Sequence, residues 1–378
     1  MSLLTRISVP APPSPEAEDI FSSALTTIFT DDAINSWGSP GSSITYRSPT
    51  FGPLELNVPV HPDEEQGRKL FAHYLWNAGV VAADAIESAS SGDGDPIGQQ
   101  NDLGNEEAPR VPGEWDTRYW DIRGRRVLEL GAATALPSLI CILCGASTCT
   151  ITDHPSSPAL TGGSIEKNVR SNLFIYQDPN DEHSPFQRRS RSEINIYGYA
   201  WGTDDFYDPK SYGKRVQPLP AASLPPTAAL TPGGYPTVDK IIVADCLWMP
   251  SQHGNIVKTI LDFLDPATSN NSTTTDAKTV PCALVVAGFH TGRAIVRDFF
   301  ALATDHPSIT TESSSPSSPP QDGPANGNIN NDAHLKLATI FETDTSGNRR
   351  DWIWDDVREG EGKWEAKRWC VVGVLVRT

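Results

Sequence analysis

The stretch Arg126-Val127-Leu128-Glu129-Leu130-Gly131-Ala132-Ala133-Thr134-Ala135-Leu136-Pro137-Ser138 decides the fold. A short apolar strand closes around a carboxylate, Glu129. A loop of small residues follows, and then an apolar helix begins. This is how an open α/β sheet makes room for a nucleotide-like ligand at the carboxyl end of a strand. The next apolar run ends at Asp153, 24 positions after Glu129. A carboxylate at that place can hold the two hydroxyls of a ribose.

The turn also discriminates between adenosine ligands. The dinucleotide fingerprint asks for G-x-G-x-x-G. Here Gly131, Ala133 and Leu136 occupy the three places. Leucine at the third obstructs close helix packing over a pyrophosphate, and the turn holds no basic residue to meet phosphates. The loop Gly131-Ala132-Ala133 therefore suits an adenosyl-methionine arm better than a diphosphate. S-adenosylmethionine is the expected ligand and a dinucleotide the alternative.

From Val127 onward the sequence alternates between strand and helix. Strands are expected at 127–130, 149–152, 194–198, 240–244 and 283–287, with helices at 137–144, 164–172, 254–264 and 292–303. Such alternation implies α/β architecture, a doubly wound and mostly parallel seven-stranded, Rossmann-like sheet. Runs at 337–341 and 370–376 would close it as an antiparallel edge hairpin. Upstream, apolar residues at three-and-four spacing predict a helix over 64–86 with Trp76 in its middle. A further helix is expected at 15–28 and extended pieces at 44–46 and 54–58. The organisation is then an N-terminal extension, 1–62, and one domain, 63–378. Polar insertions at 88–115, 178–192, 213–237, 265–278 and 305–331 explain a length of 378 residues without a second domain.

Composition narrows the partners. A net charge of −17 repels phosphate backbones, so nucleic acid is excluded, while a basic peptide tail is permitted. The first 25 residues carry Glu16, Glu18 and Asp19 and do not read as a secretory signal. No apolar run of about 20 residues predicts a membrane span. A cytoplasmic protein is expected. Six cysteines in so long a chain make no disulfide framework, and Cys141 and Cys144 fall within an apolar helical run, where they read as buried thiols. Asn271-Ser272-Thr273 matches a glycosylation acceptor by chance in a polar loop. No cluster has metal-ligand spacing, so no metal is expected.

Further candidates gather at strand exits. Trp201-Gly202-Thr203 follows the third strand, where an indole can stack on adenine. Trp76 and Trp248 can add aromatic faces that attract a sulfonium cation by roughly 0.5–2 kcal/mol each. Asp245 ends the fourth strand and can orient an amine or accept its proton. Glu129 braces the loop or an extended methionine chain. His154, His253 and His290 also lie near strand exits.

At these residues the chain resembles the class I, seven-strand S-adenosylmethionine-dependent methyltransferases. More narrowly, it is similar to the fungal elongation factor methyltransferase group, also described as nicotinamide N-methyltransferase-like. The matching stretches are Trp76 with its helix, Val127-Leu128-Glu129-Leu130-Gly131, Ala135-Leu136-Pro137-Ser138, Thr152-Asp153-His154-Pro155, 168–172, Trp201-Gly202, and Ala244-Asp245-Cys246-Leu247-Trp248 with His253-Gly254. The resemblance implies cofactor contacts at Trp76, Gly131, Ala132, Ala133, Asp153, Trp201 and Ala244, and an acceptor motif that starts at Asp245 and reaches Trp248. Ala133 stands where many relatives have glycine, and Trp248 where an animal relative has tyrosine. The activity implied is methylation of the N-terminal glycine and a nearby lysine of translation elongation factor 1-alpha. A nicotinamide methyltransferase, a non-catalytic S-adenosylmethionine-binding regulatory protein and a dehydrogenase stay open as alternatives.

Overall fold

The computed structural model describes residues 2–10, 35–60, 74–91, 114–175, 188–211, 213–218, 229–266, 280–306 and 334–378. The helix expected at 15–28 lies outside them. In chain order the elements used below are β1 (Ser43–Ser48), β2 (Gly52–Asn57), α1 (Asn77–Ser90), β3 (Arg126–Leu130), α2 (Leu136–Leu143), β4 (Thr148–Asp153) and α3 (Ser164–Asn172). They continue with β5 (Glu193–Tyr199), β6 (Phe206–Asp208), β7 (Lys214–Arg215), β8 (Lys240–Ala244), α4 (His253–Phe263), β9 (Cys282–Gly288), α5 (Arg293–Ala303), β10 (Leu335–Asp344), β11 (Arg349–Asp351) and β12 (Trp369–Arg377).

One sheet organises the molecule, in the order β7-β6-β5-β4-β3-β8-β9-β12-β10-β11. Its central five strands, β5-β4-β3-β8-β9, run parallel. Both of their faces are covered, so they read as unbroken apolar runs: Ile241, Ile242 and Val243 are successive residues and all fully buried. Chain order runs outward from β3 on one side and from β8 on the other. The switch between them opens a crevice at their carboxyl ends, the usual ligand position in such sheets.

The α/β class is as expected, but the sheet has ten strands rather than seven. Strands β6 and β7 extend one edge and β11 the other. Nor do the two terminal strands form a simple edge hairpin. β12 is inserted between β9 and β10, antiparallel to both. Its alternate residues Val372, Val374 and Cys370 join one core cluster while Val371 and Leu375 join the other, so the strand needs cover on both faces.

The helix expected over 64–86 also differs. Residues 61–73 lie outside the described set, and Leu75–Trp76 is a short strand paired with Ser36–Trp37. The Asn77 N–H continues this pairing to the Asn35 carbonyl, and the Trp37 indole donates to Asn77 Oδ1 at 2.8 Å. Those bonds hold residues 75–76 extended. Trp76 is thus the residue before α1 instead of its midpoint. Some positions expected in the polar insertions are built into the fold. Ser90 still belongs to α1, Trp115 is a core residue against Trp120, and Arg188–Ser190 pairs with Leu173–Ile175.

The N-terminal hairpin is stapled to the domain by two buried amides on α3. Asn172 exchanges hydrogen bonds with both backbone groups of Glu55. Asn168 accepts from the Asn57 N–H and donates to the carbonyls of Asn57 and Thr134. The second contact reaches the small-residue loop itself, so α3 couples the hairpin to the crevice. No helix among the described residues is long and apolar enough to cross a membrane.

Candidate active site

At the switch point lies a cavity of about 540 Å³, within the range of small-molecule sites. Trp76, Gly131, Ala133, Asp153, Trp201, Ala244, Asp245 and Trp248 line it. Glu129 and Ala132 are not among its lining residues. Among the described residues no lysine or arginine lines it either.

The floor is the β3–α2 loop. Gly131, Ala133 and Ala135 all have left-handed backbone, with φ of 63°, 48° and 58°. Gly131 is required twice over, since a Cβ there would meet Cys246 Sγ at 2.9 Å and the Trp201 ring at 3.4 Å. The loop is pinned to β4 by the Ala132 N–H to the Thr152 carbonyl, 2.9 Å. Beneath it, Glu129 accepts hydrogen bonds from both the hydroxyl and the N–H of Ser138 at the start of α2. Burial pushes the Glu129 carboxyl up to about 8, although the Ser138 bonds favour its charged form. Glu129 therefore braces the turn from behind.

Asp153 ends β4. One oxygen accepts from the Ala133 N–H at 2.9 Å and the other from the His154 N–H at 2.7 Å. Burial raises its carboxyl above the usual range, and these two N–H groups act in the opposite direction. The Ser157 side chain is a third donor to it; a carboxylate has about four acceptor positions, so roughly one stays available.

Trp201 is held by a clasp between the β5 exit and α4. The Gly202 N–H donates to Thr259 Oγ1 at 2.8 Å, and the Tyr199 hydroxyl meets the same Thr259 oxygen and the Thr203 carbonyl. Gly202 has φ of 80°, and a Cβ there would strike Asn255 at 2.7 Å. Asn255 and Thr259 are α4 residues to which the sequence reading gave no role.

The opposite wall is the β8–α4 loop. Asp245 is left-handed, φ 58°, with its side chain 7% exposed. Oδ1 accepts from the Gly288 N–H at 3.1 Å and lies 3.7 Å from His290 Nδ1. Burial raises the Asp245 carboxyl, while His290 and the Gly288 N–H lower it. His253 fixes the far end of this loop through a 2.9 Å contact to the Leu247 carbonyl, and burial lowers its basicity so that it stays neutral and donates. His290 stacks on Trp76 with centroids 4.8 Å apart and an interplanar angle of 19°. In the sequence His290 was only one of three histidines near strand exits. Its place beside Asp245 follows from β9 being the parallel neighbour of β8, a signal that needs the strand order.

All six cysteines are free, and burial pushes the thiols of Cys141 and Cys144 upward, so that pair is not poised for thiolate chemistry. Among the described residues no group of three or more acidic, histidine or cysteine side chains could hold a metal ion.

No protein-family model matches the chain. It is 29% identical over 195 residues to a protein N-terminal and lysine N-methyltransferase of Emericella nidulans, covering 52% of this chain and 53% of that one. A Gibberella zeae protein of the same name is 30% identical over 229 residues, covering 60% and 62%. The chain thus spans between about half and three-fifths of the length of the curated relatives it matches. A solved Streptococcus mutans protein described as S-adenosylmethionine-dependent overlaps with a TM-score of 0.40 at 8% identity, over 95% of this chain and 65% of that one. That overlap is too loose to add to the topology already described. In sequence, the chain is similar to fungal protein N-terminal and lysine N-methyltransferases, the group its motifs pointed to.

Proposed function

We propose that this protein is an S-adenosylmethionine-dependent N-methyltransferase of class I architecture. We further propose that it works in the cytoplasm on the N-terminal glycine and an adjacent lysine of translation elongation factor 1-alpha. The observation that carries the reading is the meeting of the Gly131 turn, Asp153 and Asp245 in one cavity that, among the described residues, no lysine or arginine lines. Among those residues a diphosphate would find no permanently charged cation there. Within the ten-stranded sheet, the run β5-β4-β3-β8-β9-β12-β10 with β12 alone reversed supports the class I reading. The names of the fungal relatives support the protein amine as acceptor.

The residues present fit the cofactor. Gly131 leaves the space a Cβ would fill, Asp153 keeps an acceptor position for a ribose hydroxyl, and Trp201 offers a ring beside the glycine. Trp76 and Trp248 line the same space with faces suited to a cation. When bound, S-adenosylmethionine supplies an electrophilic methyl group. The protein's own work is to align the acceptor, keep water out and take a proton. An N-terminal α-amine has a pKa of roughly 8 and a lysine roughly 10.4, so either must lose a proton before it can act as a nucleophile at neutral pH. Asp245, nearly buried at the cavity wall, is the carboxylate placed for that.

The test is methyl transfer from labelled S-adenosylmethionine to elongation factor 1-alpha and to nicotinamide, side by side. Label should appear on the N-terminal peptide of the factor. Asp245→Asn should lower kcat on that peptide roughly a hundredfold while calorimetry shows cofactor affinity little changed. Label on nicotinamide alone, with turnover indifferent to Asp245→Asn, would overturn the protein substrate, because a pyridine nitrogen needs no base.

A further inference from the structure

We propose that His290 is a positioning residue that acts through Asp245, receiving the proton Asp245 takes from the incoming amine and releasing it to solvent. This rests on the reading of the cavity as an amine methyl-transfer site. The geometry is specific. His290 Nδ1 is buried and, among the described residues, has no hydrogen-bond partner, yet it lies 3.7 Å from Asp245 Oδ1. Leaving a buried polar atom unpaired is costly, a cost offset when the nitrogen shares a proton with a carboxyl group. Stacking on Trp76 fixes the ring plane without using either nitrogen. The backbone is anchored three residues on, where Arg293 is held by Glu342 at 2.5 Å and by Glu361 at 3.2 Å, with its guanidinium over Phe289. The ring is 16% exposed, so it reaches both the buried carboxylate and water.

Other titratable groups near the pair are committed elsewhere. Asp153 is held by two backbone N–H groups, His154 contacts Ser156, and Tyr199 is bonded to Thr203 and Thr259. On β12, Cys370 faces Asp245, but burial raises its thiol far enough to keep it neutral. Tyr74 packs on the edge of Trp76, away from the carboxylate contact. The proton count closes. The ammonium N–H breaks as the Asp245 carboxylate takes the proton, the Asp245 O–H breaks as Nδ1 takes it, and the imidazolium gives a proton to water. The 3.7 Å gap exceeds a hydrogen bond, and catalytic contacts that are long in a free enzyme shorten when substrate binds.

His290→Phe preserves a ring to stack on Trp76 and removes the nitrogen that faces Asp245. His290→Asn puts a non-titrating polar group near Nδ1. With the full chain, labelled S-adenosylmethionine and a peptide bearing a free N-terminal glycine, both variants should lower kcat about tenfold near neutral pH. The deficit should shrink toward none above about pH 9.5, where the α-amine arrives deprotonated. Independently of turnover, the Asp245 carboxyl followed by carbon NMR should titrate at higher pH in His290→Phe than in the parent. An unchanged carboxyl titration, or a rate deficit that stays constant with pH, would reduce His290 to a wall and leave the proposed activity standing. A shifted titration in a protein that methylates no amine would instead remove the proposed activity, and the relay with it.

Discussion

The tips of β3 and β8 face one another across the cavity, and they are built on opposite principles. The β3 tip takes three left-handed residues in five, Gly131, Ala133 and Ala135, and ties its backbone to β4 and to Asp153. The carboxylates around it are engaged by N–H and hydroxyl donors. The β8 tip has one left-handed residue, Asp245, whose carboxylate, among the described residues, accepts a single backbone N–H and faces a histidine with an unpaired nitrogen. One side is a cradle whose shape is set by backbone. The other keeps titratable atoms uncommitted. On the proposed function, binding falls to one tip and proton handling to the other, and substitutions can separate the two or break that division.

The harshest way to break it is on the cradle side. Gly131→Ala adds a methyl group against Cys246 Sγ and the Trp201 ring and strains a φ of 63°. Left-handed strain and overpacking together cost about 3 kcal/mol. Calorimetry should therefore show S-adenosylmethionine affinity down roughly a hundredfold. Asp245→Asn should do the reverse, sparing affinity and costing turnover. If both variants lose affinity alike, the two tips are one unit and the division of labour fails.

How far the sequence showed this division depends on which contacts make it. Strands such as β8 and helices such as α3 were legible to the residue because apolar runs buried on both faces, or amphipathic spacing, are local signals. The edge strands β6, β7 and β11 were not: they are two or three residues long, too short to show a period, and only pairing with a neighbour makes them strands. Trp76 was placed in a helix because its extended conformation depends on Ser36, forty positions away. At the site, the residue types at strand ends could be named from spacing. The Asp245–His290 pair could not, since it exists only once β9 lies beside β8.

Glu129 offers a subtler break, from beneath the cradle. Its carboxyl is raised from 4.5 to about 8 by burial. The folded protein therefore holds a proton that the unfolded chain releases near 4.5. That contribution to stability is complete below the unfolded value and is lost as pH rises through about 8. Glu129→Gln keeps an acceptor for Ser138 and has no proton to lose. It should match the parent near pH 4.5 and exceed it by on the order of 2 kcal/mol near pH 8, read from denaturant midpoints at each pH. A constant difference across that range would mean that Glu129 is charged in the fold and that the brace is ionic.

The smallest effect falls on Ala133, the left-handed alanine that lines the cavity. Its φ of 48° puts Cβ in the left-handed region, a strain of about 1–2 kcal/mol. Glycine would remove the strain but lose about 0.5–1 kcal/mol through greater freedom of the unfolded chain. Ala133→Gly should therefore raise stability by less than about 1 kcal/mol, leaving the Ala133 N–H on Asp153 intact. Ala135 is the control. Its φ is similar, but its methyl is fully buried, so Ala135→Gly loses packing as well and should show no gain. If Ala133→Gly instead weakens S-adenosylmethionine binding while stabilising the fold, the methyl that lines the cavity contacts the ligand, and the alanine is a binding feature held in place against backbone strain.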